Sequence, residues 1–134
     1  MNEGAPAPVR IVGAVLVRDG KMLLGRRSAH RRSFPGMWDV IGGHVEPGED
    51  SVSALVRELR EELGIEATQF VPFADFAFGD RIQMQVFRVD EWRGVPRLAN
   101  DEHSELGWFD VVAAQSLPDL ASPAYAGLFG KIGI

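Results

Sequence analysis

The 134-residue sequence contains no cysteine, so the chain can form neither disulfide bonds nor thiolate metal sites. It also lacks an apolar run long enough to span a membrane and a charged start followed by an apolar signal core. Its net charge is −5, whereas proteins that bind polymeric nucleic acid usually carry a basic surface. These absences predict a cytoplasmic protein that binds neither membranes nor nucleic-acid polymers.

The composition is ordinary for a globular protein. Hydrophobic residues make up 46% of the chain and charged residues 25%, and 134 residues are enough for one domain with a buried core. Residues 1–8 contain two prolines and two alanines and are predicted to form a flexible N-terminal segment. A single domain is expected over residues 9–134.

The most informative stretch runs from Gly43 to Ile65, where a glycine-containing turn precedes a predicted helix from about Ser51 to Leu63. With about 100° of rotation per residue, one stripe of this helix is apolar and must face a core; it contains Val52, Leu55, Leu59 and Leu63. Three carboxylates fall together on one flank of the stripe, those of Glu58, Glu61 and Glu62.

These glutamates are unfavourable for the helix itself. Like charges at i,i+3 or i,i+4 spacing cost about 0.2–0.5 kcal/mol per pair, and anions in the last turn, before the predicted cap Gly64, cost about 0.3–1 kcal/mol. One interpretation is a solvated acidic face. The other is a site for a hard divalent cation such as Mg²⁺, which prefers carboxylates, water and phosphate oxygens. Gly42 and Gly43 favour the second interpretation, because they allow backbone carbonyls to approach a metal ion closely.

The same stretch resembles the signature of the Nudix hydrolases. That signature is Gly, five residues, Glu, seven residues, then Arg-Glu-aliphatic-x-Glu-Glu-x-Gly-aliphatic. Every fixed position is matched, by Gly43, Glu49, Arg57, Glu58, Leu59, Glu61, Glu62, Gly64 and Ile65. The resemblance extends from Val9 to about Lys131 and implies an α/β fold, the Nudix-type α/β/α sandwich with a mixed central sheet. Short length and an arginine-rich loop resemble the MutT-like branch.

The resemblance also implies roles for particular residues. Mg²⁺, or Mn²⁺ in its place, is expected to be bound by the Gly42 carbonyl and by the carboxylates of Glu58, Glu61 and Glu62. Glu49 and Arg57 are expected to support these ligands. Several Nudix enzymes supply a further glutamate from a loop; Glu102 is the first candidate here and Glu105 the second, whereas His103 is predicted to be a solvated neighbour. The family does not assign the general base to one residue, so Glu58, Glu62 and Glu102 are all candidates for it.

An arginine-rich loop follows the second predicted strand. It places four of the fourteen Lys and Arg within seven positions, namely Arg26, Arg27, Arg31 and Arg32. This cluster is either a solvated basic loop or a binding site for a polyanion. In the family, one of the first two arginines lies near the substrate phosphates, which favours Arg26 and Arg27 over the other two. The aromatic residues that follow, from Phe34 to Trp38, pack in the core or stack on a nucleobase.

The remaining patterns predict strands and a second helix. Val9–Val17 is apolar enough for a strand buried on both faces, and Asp19-Gly20 indicates a hairpin into Lys21–Leu24. Short strands are predicted at Trp38–Gly43 and Leu106–Phe109, and the alternation in Arg81–Val89 predicts a half-buried strand. The tail from Pro118 to Ile134 is predicted to form a second helix that covers the other face of the sheet.

The implied reaction is hydrolysis of a nucleoside diphosphate linked to another group. A nucleoside triphosphate, including a modified one such as 8-oxo-dGTP, would give the monophosphate and pyrophosphate. The 8-oxoguanine-specific prototype has an asparagine after a proline-containing turn near the second helix, whereas Leu117–Ser122 contains none. The alternatives are hydrolysis of ADP-ribose or a nucleoside diphosphate sugar, and a Nudix module that binds nucleotides without catalysis. The partner is therefore a small nucleotide, and the oligomeric state stays open.

Overall fold

The computed structural model describes residues 8–134, so the predicted flexible segment at residues 1–8 lies outside the described residues except for Pro8. The described part contains seven strands and three helices: β1 (Val9–Arg18), β2 (Lys21–Arg27), β3 (Trp38–Asp39), β4 (Ile41–His44), α1 (Ser51–Leu63), β5 (Glu66–Phe78), β6 (Ile82–Arg93), β7 (His103–Phe109), α2 (Val111–Gln115) and α3 (Ala124–Gly130). None of these helices has the length and apolarity required to cross a membrane.

The strands form one mixed sheet with β1 at its centre. The strand order is β3-β2-β1-β6-β5, with β4 also paired to β1 and β7 also paired to β2. Strand β1 runs parallel to β6 from Val9↔Ile82 to Leu16↔Val89, and antiparallel to β2 and β4. The Asp19-Gly20 hairpin between β1 and β2 is confirmed, and both of its residues have the positive φ angles of a tight hairpin turn.

Strand β1 is buried on both faces over most of its length, as its composition predicted. Val12, Ala14 and Leu16 belong to the core under α1, together with Leu55 and Leu59 of that helix. Val15 and Val17 point the other way, into the core that the C-terminal helices cover. This arrangement confirms the predicted α/β/α sandwich with a mixed central sheet.

The predicted C-terminal helix is wrong in its extent. Helix α3 has only seven residues and begins after Pro123, because proline lacks the N–H that a helix interior requires. The shorter helix α2 precedes it and was not predicted; it is capped by Asp110, whose side chain accepts a hydrogen bond from the Ala113 amide at 2.7 Å. Tyr125, Leu128 and Phe129 are nevertheless buried against the sheet, as expected.

Candidate active site

Helix α1 spans Ser51–Leu63, the range that the sequence predicted. Asp50 caps its first turn by accepting a hydrogen bond from the Ser53 amide at 2.7 Å, and Gly64 ends it in the left-handed conformation. The buried face comprises Ala54, Leu55, Glu58, Leu59, Glu62 and Leu63. The predicted stripe was therefore wrong at Val52, which lies at the edge of that face in the first turn and is 46% exposed.

Glu58 and Glu62 lie within the buried face of α1 and not on an exposed flank. At about 100° per residue, Glu62 falls near the middle of the buried arc, and only 1% of its surface is exposed. Glu102, from the loop before β7, completes a group of three carboxylates whose oxygens lie within 4.8 Å of one another. The structure thus brings together three of the glutamates that the sequence selected.

This carboxylate group is electrostatically unsatisfied. Neither side-chain oxygen of Glu62 has a hydrogen-bond donor among the described residues. Burial raises the pKa of Glu62, and the neighbouring carboxylates of Glu102 and Glu58 raise it further. Burial also raises the pKa of Glu58, although its contact with Arg57 opposes that change. A buried, unpaired carboxylate is costly, so the helix carries this group at the expense of stability unless a cation joins it.

The backbone of β4 fits closely around the same carboxylates. A Cβ atom on Gly43 would collide with both carboxylate oxygens of Glu58, and one on Gly42 would collide with the backbone carbonyl of Val12 in β1. Gly42 is therefore required for the approach of β4 to β1, and a side chain at position 43 would displace the Glu58 carboxylate. The possible metal ligands here are therefore all oxygen atoms, and the buried Glu62 carboxylate among them has no cationic side chain as a partner. Such a set of ligands fits a hard divalent cation.

Arg57 connects the glycine-containing turn with the glutamates of α1. Its guanidinium donates two hydrogen bonds to Glu49, at 2.8 and 2.9 Å, and further ones to Glu58 at 3.0 Å and to Glu61 at 3.2 Å. It also donates to the backbone carbonyl of His44 at 3.0 Å. The hydrogen bonds from Arg57 lower the pKa of Glu49 to about 2. Arg57 therefore fixes the position of Glu58 while leaving Glu62 without a cationic partner.

Glu61 lies apart from the three clustered carboxylates. Its side chain is 53% exposed and contacts Arg57, yet it lines the same cleft as Glu58 and Glu62.

The loop that carries Glu102 is held by contacts with helix α1 and with the loop after β2. The Ala99 amide donates to the backbone carbonyl of Glu62 at 3.0 Å, which ties the loop to the end of α1. The Ser28 amide donates to the Glu102 carbonyl at 3.0 Å, and Arg31 forms an ion pair with the Glu102 carboxylate at 3.4 Å. These contacts hold Glu102 beside the helix. Glu105, the second candidate, instead lies in β7 and pairs with Arg26 at 3.6 Å.

The three carboxylates line a cleft of about 800 Å³. Its charged lining residues include Glu46, Glu58, Glu61, Glu62, Glu102, Arg27, Arg31 and Arg57. Its apolar and aromatic lining residues include Val9, Ile11, Phe34, Val40, Phe78, Ile82, Met84, Ala121 and Tyr125. One cavity therefore offers both charged and apolar side chains.

The predicted phosphate-binding arginines occupy different surroundings. Arg27 lines the cleft, donating to Asp39 at 3.1 Å, and Arg31 lines it as well. Arg26 is not among the residues that line the cleft; its guanidinium lies over the Trp38 ring and pairs with Asp119 at 3.5 Å.

Two residues of the cleft were not identified from the sequence. His103, predicted to be solvated, is 6% exposed and places Nδ1 3.6 Å from Oε1 of Glu62, because β7 begins at this residue and pairs with β2. Asp39 is partly buried beside Arg27, and its Oδ1 atom has no hydrogen-bond partner among the described residues. Desolvation of its carboxylate raises its pKa. No local pattern distinguishes His103 from its acidic neighbours. The one signal for Asp39 is its position shortly before the paired glycines.

Both the sequence and the fold are similar to those of known proteins. A family model described as the NUDIX domain matches residues 7–129. The CTP pyrophosphohydrolase of Escherichia coli (strain K12) is 40% identical over 113 residues, which are 82% of this chain and 82% of the relative. Nucleoside triphosphatase NudI of Escherichia coli (strain K12) is 40% identical over 77 residues, covering 58% of this chain and 54% of NudI. The crystal structure of a MutT NUDIX hydrolase from Burkholderia pseudomallei matches with a TM-score of 0.80 and 30% identity, over 95% of this chain and 99% of that one.

Proposed function

Because the chain belongs to the Nudix hydrolase family, in its MutT-like branch, we propose that it uses a divalent metal ion to hydrolyse nucleoside triphosphates to nucleoside monophosphates and pyrophosphate. Its similarity to proteins named CTP pyrophosphohydrolase and nucleoside triphosphatase supports this substrate class. The observation that carries the proposal is the group formed by Glu58, Glu62 and Glu102, in a cleft that is lined by both charged and apolar side chains.

The proposed metal ligands are the carboxylates of Glu58, Glu62 and Glu102, with the Gly42 carbonyl and Glu61 as further oxygen donors. Mg²⁺ is the proposed ion and Mn²⁺ a substitute, since every donor is oxygen. When bound, such an ion neutralises phosphate charge and lowers the pKa of a coordinated water. The unpartnered oxygens of Glu62 support this assignment, because a cation would remove the cost of burying them.

Other side chains of the cleft are proposed to bind the substrate phosphates and to accept a proton. Arg27 and Arg31 line the cleft and are proposed to bind the phosphates, since guanidinium groups pair with phosphate oxygens through two parallel hydrogen bonds. Glu102 is proposed to accept a proton from the attacking water. Its side chain is 38% exposed, against 10% for Glu58 and 0% for Glu62, so it is the carboxylate that water reaches most easily.

Arg57 and Glu49 are proposed to position the site without touching the reacting atoms. The paired hydrogen bonds from Arg57 to Glu49 fix its guanidinium, and the fixed guanidinium then holds Glu58. In a reaction that needs alignment and charge neutralisation more than covalent chemistry, such support contributes directly to the rate.

The apolar and aromatic side chains of the cleft are proposed to receive the nucleoside. Ala121 and Ser122 are the part of the Leu117–Ser122 segment that lines it, and the segment contains no asparagine. Recognition of oxidised guanine would therefore need a different donor and acceptor pattern from that of the 8-oxoguanine-specific prototype.

The proposal is tested with a substrate panel. Canonical nucleoside triphosphates, 8-oxo-dGTP, ADP-ribose and nucleoside diphosphate sugars are incubated with the purified protein, with Mg²⁺ and with a chelator. Pyrophosphate and the nucleoside monophosphate are expected from triphosphates only when Mg²⁺ is present. Faster turnover of ADP-ribose than of triphosphates would show that nucleoside triphosphates are not the preferred substrates. Release of orthophosphate instead of pyrophosphate would show that a different phosphoanhydride bond is cleaved. Tight binding without turnover would indicate a non-catalytic module.

A further inference from the structure

Phe34 has a backbone conformation that its sequence context disfavours. Its φ angle is +50°, and among the described residues the only other non-glycine residue with positive φ is Asp19, in the β1–β2 hairpin turn. Bulky side chains rarely adopt this conformation, and a residue that precedes proline, as Phe34 precedes Pro35, normally has extended backbone.

The surrounding hydrogen bonds hold this conformation in place. Arg27 donates through Nε to the Ser33 carbonyl at 2.6 Å and accepts at its own carbonyl from the Gly36 amide at 2.8 Å. The Met37 amide closes the turn by donating to the Phe34 carbonyl at 3.2 Å. None of these bonds uses the Phe34 side chain, so glycine at this position would form the same turn without strain.

The Phe34 side chain also adds little to the hydrophobic core. The residue is 53% exposed, and it belongs to neither of the two core clusters. Neither local propensity nor packing therefore explains a phenylalanine here. Where a residue violates local preferences without a gain in packing, function is the usual reason.

The position of the ring indicates that function. Phe34 lines the cleft together with the charged residues Arg27 and Arg31 and the apolar or aromatic residues Phe78, Ile82 and Tyr125. An exposed aromatic ring in this place can pack on a nucleobase as the phosphates reach the arginines. Every base has a π face, so such a contact adds affinity without selecting one base.

We propose that Phe34 is a substrate-binding residue whose ring packs against the nucleobase, which rests on the proposed function of the same cleft. It contributes affinity for purine and pyrimidine nucleotides alike. Base identity is then read elsewhere in the cleft.

The test measures equilibrium binding, not turnover. Wild type, Phe34→Gly, Phe34→Leu and Phe34→Tyr are titrated with α,β-methylene analogues of a purine and a pyrimidine nucleoside triphosphate, and with inorganic tripolyphosphate, all in Mg²⁺. Val95→Ala, which changes an exposed side chain outside the cleft, is the control. Thermal unfolding is recorded for each variant.

We expect Phe34→Gly to raise the Kd for both analogues by about 5- to 100-fold, the range for losing one base–aromatic stack. Phe34→Leu should fall between glycine and wild type, and Phe34→Tyr should match wild type. The Kd for tripolyphosphate, which has no base, should not change in any variant. Phe34→Gly should unfold at the same temperature as wild type or above it, because glycine relieves the positive φ.

Unchanged analogue affinity in Phe34→Gly and Phe34→Leu would overturn the inference. Equal weakening of tripolyphosphate and nucleotide, or a clear loss of thermal stability, would also overturn it, since both indicate a structural role. Failure of wild type to hydrolyse any nucleoside triphosphate would be seen in the separate substrate panel, so it is distinguishable from failure here.

Discussion

Nδ1 of His103 lies 3.6 Å from Oε1 of Glu62, and both side chains are almost completely buried. This contact does not neutralise the glutamate, because burial lowers the pKa of His103 to about 4 and leaves the imidazole uncharged near neutral pH. Within residues 8–134, no other basic side chain lies within ion-pair distance of Glu62. No cationic side chain among the described residues therefore balances this carboxylate, and the proposed Mg²⁺ would do so in place of a proton.

Replacing Glu62 by glutamine should stabilise the metal-free protein and abolish its activity. The variant keeps the volume and removes a carboxylate that is costly to bury, whether it stays charged or takes up a proton. We therefore expect the free energy of unfolding at neutral pH to rise by on the order of 1–2 kcal/mol. Turnover should fall by at least about 100-fold, since even the loss of groups that orient metal ligands costs about 10–100-fold. Urea unfolding with a chelator and steady-state kinetics with Mg²⁺ measure the two effects.

Glu91→Gln is the matched control, because Glu91 is exposed and lies outside the cleft. Its stability and turnover should equal those of wild type. A destabilised Glu62→Gln variant with normal turnover would show that Glu62 has a structural role.

The stability gained in Glu62→Gln should depend on pH. Since the pKa of Glu62 is raised from its ordinary value of 4.5, the folded wild type binds this proton more tightly than the unfolded chain. The free energy of unfolding of wild type therefore falls relative to that of Glu62→Gln as the pH rises above 4.5. Unfolding in a chelator should give nearly equal stabilities at about pH 4 and a clear difference at about pH 8. The lowered pKa of Glu49 acts in the opposite direction, with stability lost as pH falls from 4.5 towards 2, but it is common to both proteins and cancels.

Arg57→Lys should impair the site although it preserves the charge. Lysine cannot reproduce the paired hydrogen bonds to Glu49 together with the contact to Glu58. We expect Mg²⁺ affinity or turnover to fall by about 10–100-fold, and stability to fall by about 1–2 kcal/mol.

Arg60→Lys provides the comparison for Arg57→Lys, because Arg60 lies on the same helix and pairs with Glu66 on an exposed surface. This change should leave both stability and turnover unaltered, because exposed ion pairs contribute little. If Arg57→Lys and Arg60→Lys have equal turnover and Mg²⁺ affinity, Arg57 does not position the site.

Arg31→Gln should raise KM for nucleoside triphosphates by about tenfold or more, since charge-assisted hydrogen bonds to phosphate contribute about 1.5–3 kcal/mol. The neighbouring Arg32 is exposed and does not line the cleft, so Arg32→Gln should leave KM unchanged. Steady-state kinetics at several salt concentrations separate the two. A similar KM increase in both variants would mean that the loop acts only through its overall charge.

Local patterns predicted much of the fold and part of the site. Helix α1 ends where the sequence indicated because Gly64 adopts the left-handed conformation there, and Glu58 and Glu62 were selected by their spacing. Periodicity gives the angle of a side chain around a helix axis, but it does not give the width of the contact with the sheet. For this reason both glutamates were placed on a flank, whereas they are buried.

Contacts between distant segments could not be predicted in the same way. His103 contacts Glu62 because β7 pairs with β2. Asp39 contacts Arg27, which lies twelve positions earlier in the sequence. Arg31 lines the cleft and Arg26 does not, although the sequence favoured Arg26 over Arg31. The pairing of β2 with β7 shifts register between Arg26 and Arg27, an irregularity that local sequence patterns do not reveal. Glu102 was selected only through the family resemblance.

The central claim is that a divalent cation completes a buried carboxylate group that the protein leaves partly protonated. Calorimetric titration of Mg²⁺ near neutral pH, in two buffers with different ionisation enthalpies, measures the protons released on binding. We predict release of about one proton per ion by wild type and clearly fewer by Glu62→Gln. Saturable Mg²⁺ binding with no proton release, or with equal release by the two proteins, would contradict the claim.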